Sequence, residues 1–479
     1  AMELFVGSLL TFPLLRAYSK QHYYYAHRKN KFYPHERVSF EQKIPVNEFD
    51  KDQFYEICCS THVRKDVKEA AISILRKNPH IPSIFELLDN FGELQTAVPC
   101  IMKAAFQTVQ RFGLSVGLIH SHGIIYRREL LTLADGGTVA LDWAVAIEEY
   151  YKNPNISIAD LNKEKIVLLL HGILGDSQSE YIYHFLPYLI AAGYTPIVYV
   201  ARGNSDLPLT SPSFFSGKIA NDFYEVTRYI KFTYQSNDNN CNDNNKYQMF
   251  AIGYSLGASS ILNYLTRMKD LTYLTAAISI CPPWNVIKNS LYPTFHSNIG
   301  SALIGIPLKL YFFRHYRTLY KLNSTLAQKI SIWKVITGMT IKDYDEALYP
   351  IFWKSTLNEN YQREKELLAS NNNTSIITKD QFQPIVSSRT HQNIVDYYHD
   401  INSSDHVHEI TIPTLVLSAL DDPICPHNYI PTGKACDVFG KNVVVVKTNF
   451  GGHLGYFEHD SWTHTWSDRV ALDWLKCFS

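Results

Sequence analysis

The chain has 479 residues, 46% hydrophobic and 19% charged. That length and balance exclude a disordered chain and suit one large α/β domain with additions, or two domains. Forty-five Lys and Arg balance forty-five Asp and Glu, which excludes a global field that would draw nucleic acid or an anionic membrane; any basic recognition has to be local.

Residues 4–15 form an apolar run (LFVGSLLTFPLL) broken by Pro13, followed by a basic, aromatic stretch with Arg16, Lys20, Arg28, Lys29 and Lys31. A spanning helix needs about 20 residues. A short membrane anchor, an interfacial segment and a targeting sequence all fit, as does a helix packed on the protein's own surface. The expectation is association with a membrane surface through this N-terminal segment, with endoplasmic reticulum and mitochondrion both open. Sequons at Asn155, Asn323, Asn372, Asn373 and Asn402 carry little weight in an Asn-rich chain. The eight cysteines have no CxxC pair and no metal-ligand spacing, so free thiols are expected, with neither a disulfide framework nor a metal site.

Residues 1–125 show no catalytic pattern and read as helical, with amphipathic spacing at 67–76 and 97–112. From residue 126 the chain alternates polar and apolar residues around Asp135-Gly136-Gly137, a β-hairpin signal. Apolar runs then recur at 165–170 (KIVLLL), 195–200, 248–252, 276–280, 414–419 and 442–447. Spaced mostly by helix-length segments, they predict an α/β fold with a mostly parallel sheet and flanking helices. Between 284 and 399 the strand rhythm stops, and a helical, aromatic-rich insertion is expected to cap the sheet, with a polar section at 358–389. Phe295, Leu303, Ile304, Leu308, Tyr311, Phe312 and Phe313 are available there to line an acyl pocket, although packing is the ordinary role of any one. The Asn-rich segment 236–246 reads as a surface loop. The expected organisation is an N-terminal membrane-associated helical region (1–125), a core in two parts (126–283 and 400–479) and the inserted cap (284–399).

Four short segments carry chemistry. Gly253-Tyr254-Ser255-Leu256-Gly257 lies between a strand and a helix, the setting in which a G-x-S-x-G turn projects a nucleophilic serine above a sheet. The Leu256 N–H then sits at a helix N-terminus and can donate to an oxyanion. His171-Gly172-Ile173-Leu174-Gly175 follows KIVLLL and supplies the second donor, assigned to the Ile173 N–H. Asp421 and Asp422 follow the strand at 414–419; Asp422 is preferred as the acid, with Asp421 as its alternative. In Gly451-Gly452-His453-Leu454-Gly455, the flanking glycines let a histidine reach back to the serine. The order Ser…Asp…His is that of an acyl-transfer triad, which needs no cofactor and no metal.

These residues resemble a branch of α/β-hydrolases that holds membrane-anchored mammalian acylglycerol lipases of the α/β-hydrolase-domain type, yeast medium-chain acyltransferase/esterases and bacterial relatives. The matching stretches are ELLTLADGGTVALDW, VLLLHGILGDSQSEYI, VARGNSDLPLTSP, GYSLGASSILNYL, LVLSALDDPICP and GGHLGYFE. The resemblance implies the α/β-hydrolase fold, Ser255, Asp422 and His453 as triad, medium- or long-chain acyl esters or lipids as substrates, and an N-terminal membrane anchor. The expected function is a serine esterase or lipase, with transfer to an alcohol as an added capacity. The alternatives are a hydrolase-fold subunit of a membrane protein complex, active or not, and a lipid-binding receptor.

Overall fold

The computed structural model describes residues 55–60, 62–78, 123–235, 247–291, 295–370, 383–431, 439–458 and 461–479. All of them lie in one unit spanning 43–479. The apolar run at 4–15, the amphipathic stretch at 97–112 and the loop at 236–246 fall outside the described residues.

Among the described residues, nine strands form the main sheet: β1 (Tyr55–Cys59), β2 (Ile124–Thr132), β3 (Thr138–Ala146), β4 (Lys165–Leu170), β5 (Thr195–Val200), β6 (Gln248–Tyr254), β7 (Ala276–Ile280), β8 (Thr414–Ala419) and β9 (Val443–Thr448). Their order is β1-β9-β8-β7-β6-β4-β5-β3-β2. The six strands from β5 to β9 through β4 are parallel, while β2, β3 and β1 pair antiparallel at the two edges. The parallel strands are apolar on both faces because helices cover both, and β4 (KIVLLL) is buried over all but its first residue. This is the α/β-hydrolase fold. The chain steps from β4 to β5 on one side and then to β6 on the other, so a crevice opens at the carboxyl ends of β4 and β6.

The principal helices are α1 (Lys65–Lys77), α2 (Ile219–Tyr234), α3 (Leu256–Met268), α4 (Phe295–Leu322), α5 (Ile341–Leu348), α6 (Leu357–Ser370), α7 (Ile394–Ile401) and α8 (Trp466–Cys477). α8 starts at a capping box in which Thr465 and Asp468 satisfy each other's backbone N–H groups. It buries Trp466, Val470 and Trp474 against the sheet and against Val67, Ala71, Ile74 and Leu75 of α1. The Trp466 indole N–H donates to the Asn78 carbonyl at 2.9 Å, and the Asn78 amide donates to Asp473 at 2.9 Å.

Helix α1 matches the amphipathic spacing at 67–76, but the reading of 1–125 as wholly helical is corrected by β1. Residues 55–59 (YEICC) extend the sheet beside β9, in register from Tyr55 opposite Thr448 to Cys59 opposite Val444. A five-residue run of Tyr, Ile and Cys suits a strand but is too short to show a period, and only the unpaired edge of β9 selects it.

Between β7 and β8 the chain runs through helices, α4 to α7 among them. Two side chains of α4 tie this insertion to the core. The Tyr311 hydroxyl donates to the Arg202 carbonyl at 3.0 Å and accepts the Phe215 N–H at 3.1 Å. His315 Nε2 meets the Gly203 carbonyl at 2.8 Å. Gly203 has φ +65, and a Cβ there would lie 2.8 Å from the Tyr311 hydroxyl. Arg202 is itself buried between Asp222 (2.7 and 2.9 Å) and Asp135 (2.6 Å), which fixes the loop that α4 grips.

Tyr311→Phe leaves the ring packing intact and strands two buried backbone groups. It is expected to lower stability by about 1–3 kcal/mol, read as a shift in the urea midpoint; an unchanged midpoint would show that the hydroxyl is not a latch.

Candidate active site

Strand register places the site. Leu170, the last residue of β4, lies beside Gly253 of β6, so His171-Gly172 and Tyr254-Ser255 emerge together. Ala419 at the end of β8 lies beside Thr448 at the end of β9, so the loops carrying Asp422 and His453 start side by side.

Ser255 turns the chain from β6 into α3 with φ 54 and ψ −117, an uncommon conformation for a residue with a side chain. Its N–H donates to the Ile280 carbonyl at 2.9 Å. The two glycines of the turn are required by space. A Cβ at Gly253 would lie 2.6 Å from the Gly257 carbonyl, and one at Gly257 would lie 2.4 Å from the Leu170 carbonyl. Gly172 keeps the space beside the serine clear, since a Cβ there would come 3.2 Å from that of Ser255.

The Ser255 hydroxyl lies 2.8 Å from His453 Nε2, and His453 Nδ1 lies 2.8 Å from Asp422 Oδ2. All three residues are buried. A carboxylate only accepts, so the proton sits on Nδ1 and Nε2 accepts from the serine. The other Asp422 oxygen accepts the N–H groups of Ile424 and Cys425, both at 2.8 Å, so the carboxylate is fixed from both sides. Gly452 has φ 52, and a Cβ at Gly451 would lie 2.5 Å from the Tyr456 ring; glycine at both positions lets the histidine loop fold tightly.

Asp421 has a different task. Its Oδ1 accepts the Gly452 N–H at 2.8 Å, bracing the histidine loop, while Oδ2 is buried without a partner among the described residues. Burial, and then the neighbouring Asp422, raise this carboxyl to about 7, so it is partly neutral at physiological pH.

Leu256 opens α3, so its N–H has no acceptor within the helix. Ile173 and Leu256 line the same cavity as Ser255. His171, quoted in the sequence motif without a role, stiffens the Ile173 loop. Its Nδ1 lies 2.6 Å from the Gly172 carbonyl, its Nε2 accepts the Ala201 N–H at 3.2 Å, and its ring stacks on Tyr199 and Phe215. The Gly172 N–H is held by the Tyr181 hydroxyl at 3.0 Å.

The cavity has a volume of about 300 Å³ and runs from Ser255 to the helical insertion. Phe215, Leu308 and Ile401 supply apolar wall, and Asp345 and Lys342 lie on its α5 side. Burial pushes the Asp345 carboxyl up to about 8, which removes a fixed negative charge from the wall at neutral pH. Of the aromatic and aliphatic residues expected to line a pocket, Ile304 and Leu308 do so. Tyr311 and Phe312 are buried in packing, Phe313 is exposed, and the side chains of Phe295 and Leu303 fall outside the described residues. The loop at 215–217 and the residues of α5 and α7 were not legible as pocket lining, because they reach it only through tertiary packing.

Among the described residues, one cluster has metal-ligand spacing: Cys281, Asp422 and His453. Its donors are committed otherwise. Both His453 nitrogens face Asp422 and Ser255, and burial pushes the Cys281 thiol well up, which keeps it neutral.

Replacing the two aspartates separates their roles. Asp422→Asn is expected to lower kcat on an ester by about 10⁴-fold, whereas Asp421→Asn, which keeps the bond to Gly452, should stay within about threefold. The Asp421 carboxyl is raised in the fold above its ordinary 3.8, so the native state holds the extra proton and loses stability as pH rises from about 4 to about 7. The Tm advantage of Asp421→Asn over the parent should therefore grow between pH 5 and pH 8. Equal losses of activity from both variants would undo the distinction.

No family model matches the chain. Similar curated proteins include the embryogenesis-associated protein EMB8 of Picea glauca, 25% identical over 73% of this chain and 66% of that protein, just under two thirds of its length. Phospholipase ABHD3 of Homo sapiens is 25% identical over 85% of this chain and 86% of its own. Monoacylglycerol lipase ABHD2 of Homo sapiens is 21% identical over 74% and 73% respectively. Among solved structures, an esterase of Pyrococcus furiosus is 14% identical and covers 68% of this chain and 82% of its own, with a TM-score of 0.34. By its sheet order the chain has the α/β-hydrolase fold, and its sequence is similar to a phospholipase and a monoacylglycerol lipase.

Proposed function

We propose that this protein is a carboxylic ester hydrolase of the lipase/esterase type, with Ser255 as nucleophile, His453 as base and Asp422 as the acid that orients it. The observation that carries this reading is the unbroken run of contacts from Asp422 Oδ2 to His453 and from His453 Nε2 to the Ser255 hydroxyl, each 2.8 Å, at the end of a mainly apolar cavity. The similarity to a phospholipase and a monoacylglycerol lipase supports a lipid or other acyl ester as substrate, and the mainly apolar wall of the cavity suits an acyl group of medium or long chain.

In this reading His453 Nε2 takes the Ser255 proton as Oγ attacks the ester carbonyl. The tetrahedral oxyanion is held by the Leu256 and Ile173 N–H groups; losing one such donor costs about 3 kcal/mol of transition-state stabilisation. His453 then protonates the departing alcohol, leaving the acyl group on Ser255. Water, or a second alcohol in a transfer reaction, attacks that acyl-enzyme with His453 again as base. Ile304 and Leu308 of the insertion, as the cap, hold the acyl chain away from water.

Hydrolysis of a chromogenic acyl ester tests this. Ser255→Ala and His453→Ala should each lower kcat by about 10⁵-fold or more, and the double variant little further, because the members act as a unit. Turnover unchanged in Ser255→Ala would remove the reading. A well-folded parent protein inert to esters of every chain length would instead favour a hydrolase-fold subunit of a larger assembly.

A further inference from the structure

The helical insertion has an unusual surface. Of thirteen large hydrophobic side chains exposed among the described residues, nine lie between 306 and 339, on α4 and the segment that follows it. α4 divides cleanly by face. Leu308, Tyr311, Phe312, His315 and Leu319 are buried, and Ile304 and Leu308 reach the cavity beside Ser255. Ile306, Leu310, Phe313 and Tyr320, at helical spacing on the other face, stand in solvent.

The short helix Ile332–Thr337 and Met339 continue that face. The Lys309 ammonium donates to the Ile336 carbonyl at 3.0 Å, and a Cβ at Gly305 would lie 2.8 Å from the Met339 carbonyl, so the two segments lie together. Trp333 is 73% exposed, Leu310 66% and Met339 64%. A contiguous apolar surface of this kind marks an interaction site.

Charge identifies the partner. Residues 295–337 hold six Lys or Arg and no Asp or Glu, in a chain whose charges cancel overall. Arg314 donates to the Ser205 carbonyl, while Arg317 and Lys321 stand exposed beside Tyr320. In the following helix, Asp343 accepts the Met339 and Thr340 N–H groups at 2.8 and 2.9 Å, and Glu346 is engaged by Lys334 at 3.5 Å and Lys342 at 3.7 Å. Exposed aromatic and aliphatic side chains interleaved with cations, without acids, suit the interface of an anionic bilayer. Among the described residues no helix is long and apolar enough to cross a membrane, so the face would lie on the surface.

We propose that the outer face of α4 with residues 332–339 docks on anionic lipid, which brings the bilayer to the helix whose inner face lines the cavity. The delivery of lipid ester to Ser255 rests on the ester-hydrolase reading; the docking does not.

The test uses full-length protein carrying Ser255→Ala, so that binding is read without turnover. It is mixed with phosphatidylcholine vesicles, with and without phosphatidylserine, carrying brominated acyl chains that quench tryptophan. None of the seven tryptophans precedes Trp143, so an N-terminal apolar segment alone in the bilayer leaves Trp333 unquenched. The expected result is quenching that requires phosphatidylserine and disappears in Trp333→Phe. Leu310→Glu and the pair Arg317→Glu/Lys321→Glu should each weaken vesicle partition about tenfold or more. In the Ser255 protein the same three changes should leave turnover of a water-soluble ester unchanged, which also reports correct folding. Quenching that persists in Trp333→Phe, partition indifferent to the charge reversals, or no partition onto anionic vesicles at all would overturn the proposal; the last would point to a protein covering this face.

Discussion

At the turn between β6 and α3, backbone passes over backbone at a distance no side chain could share. Gly253 lies against the start of α3, and Gly257 lies against the carbonyl that ends β4. Between them Ser255 adopts φ 54, held by its N–H bond to Ile280. Strain of this kind costs about 1–3 kcal/mol and persists only where the surroundings over-determine it. Here β4 and β7 flank β6 in parallel register and leave the turn no alternative. The sheet, its order and the buried apolar faces that set it thus combine to present one hydroxyl at one edge.

The remaining groups are placed by the same sheet at lower cost. Adjacent ends of β8 and β9 release two loops side by side, and a pair of neighbouring aspartates divides the work between them. Asp422 faces the imidazole and is held by two backbone N–H groups. Asp421 faces the backbone of the histidine loop, with its carboxyl raised by burial. Two adjacent ionised carboxylates would repel each other in so enclosed a place; Asp421, partly neutral at physiological pH, eases that repulsion and keeps the bracing bond. The helical insertion completes the enclosure, and its grip on the loop after β5 through Tyr311 and His315 joins the pocket wall to the core.

Much of this was legible in the residues. The apolar runs at 165–170, 195–200 and 414–419 coincide with strands, because strands buried on both faces must be apolar throughout. The Asp135-Gly136-Gly137 turn joins β2 and β3 as a hairpin. The four motif loops were locatable because each follows a strand, and a parallel sheet gathers strand ends along one edge. Other features were not legible. β1 is chosen by the free edge of β9, a partner nearly 400 residues away in sequence. The Tyr311 latch and the lining at 215–217 depend on how the insertion packs, which no local period encodes. Asp421 and Asp422 are alike in sequence, and the turn geometry alone assigns their partners.

Ester hydrolysis at this site requires that Ser255 be an activated nucleophile in the native protein. Treatment of intact full-length protein with a fluorophosphonate probe, followed by peptide mass spectrometry, tests this most directly. The predicted result is a single adduct on Ser255, absent from Ser255→Ala and strongly slowed in His453→Ala. A folded protein that stays unmodified, or an adduct on another serine that survives both substitutions, would contradict it.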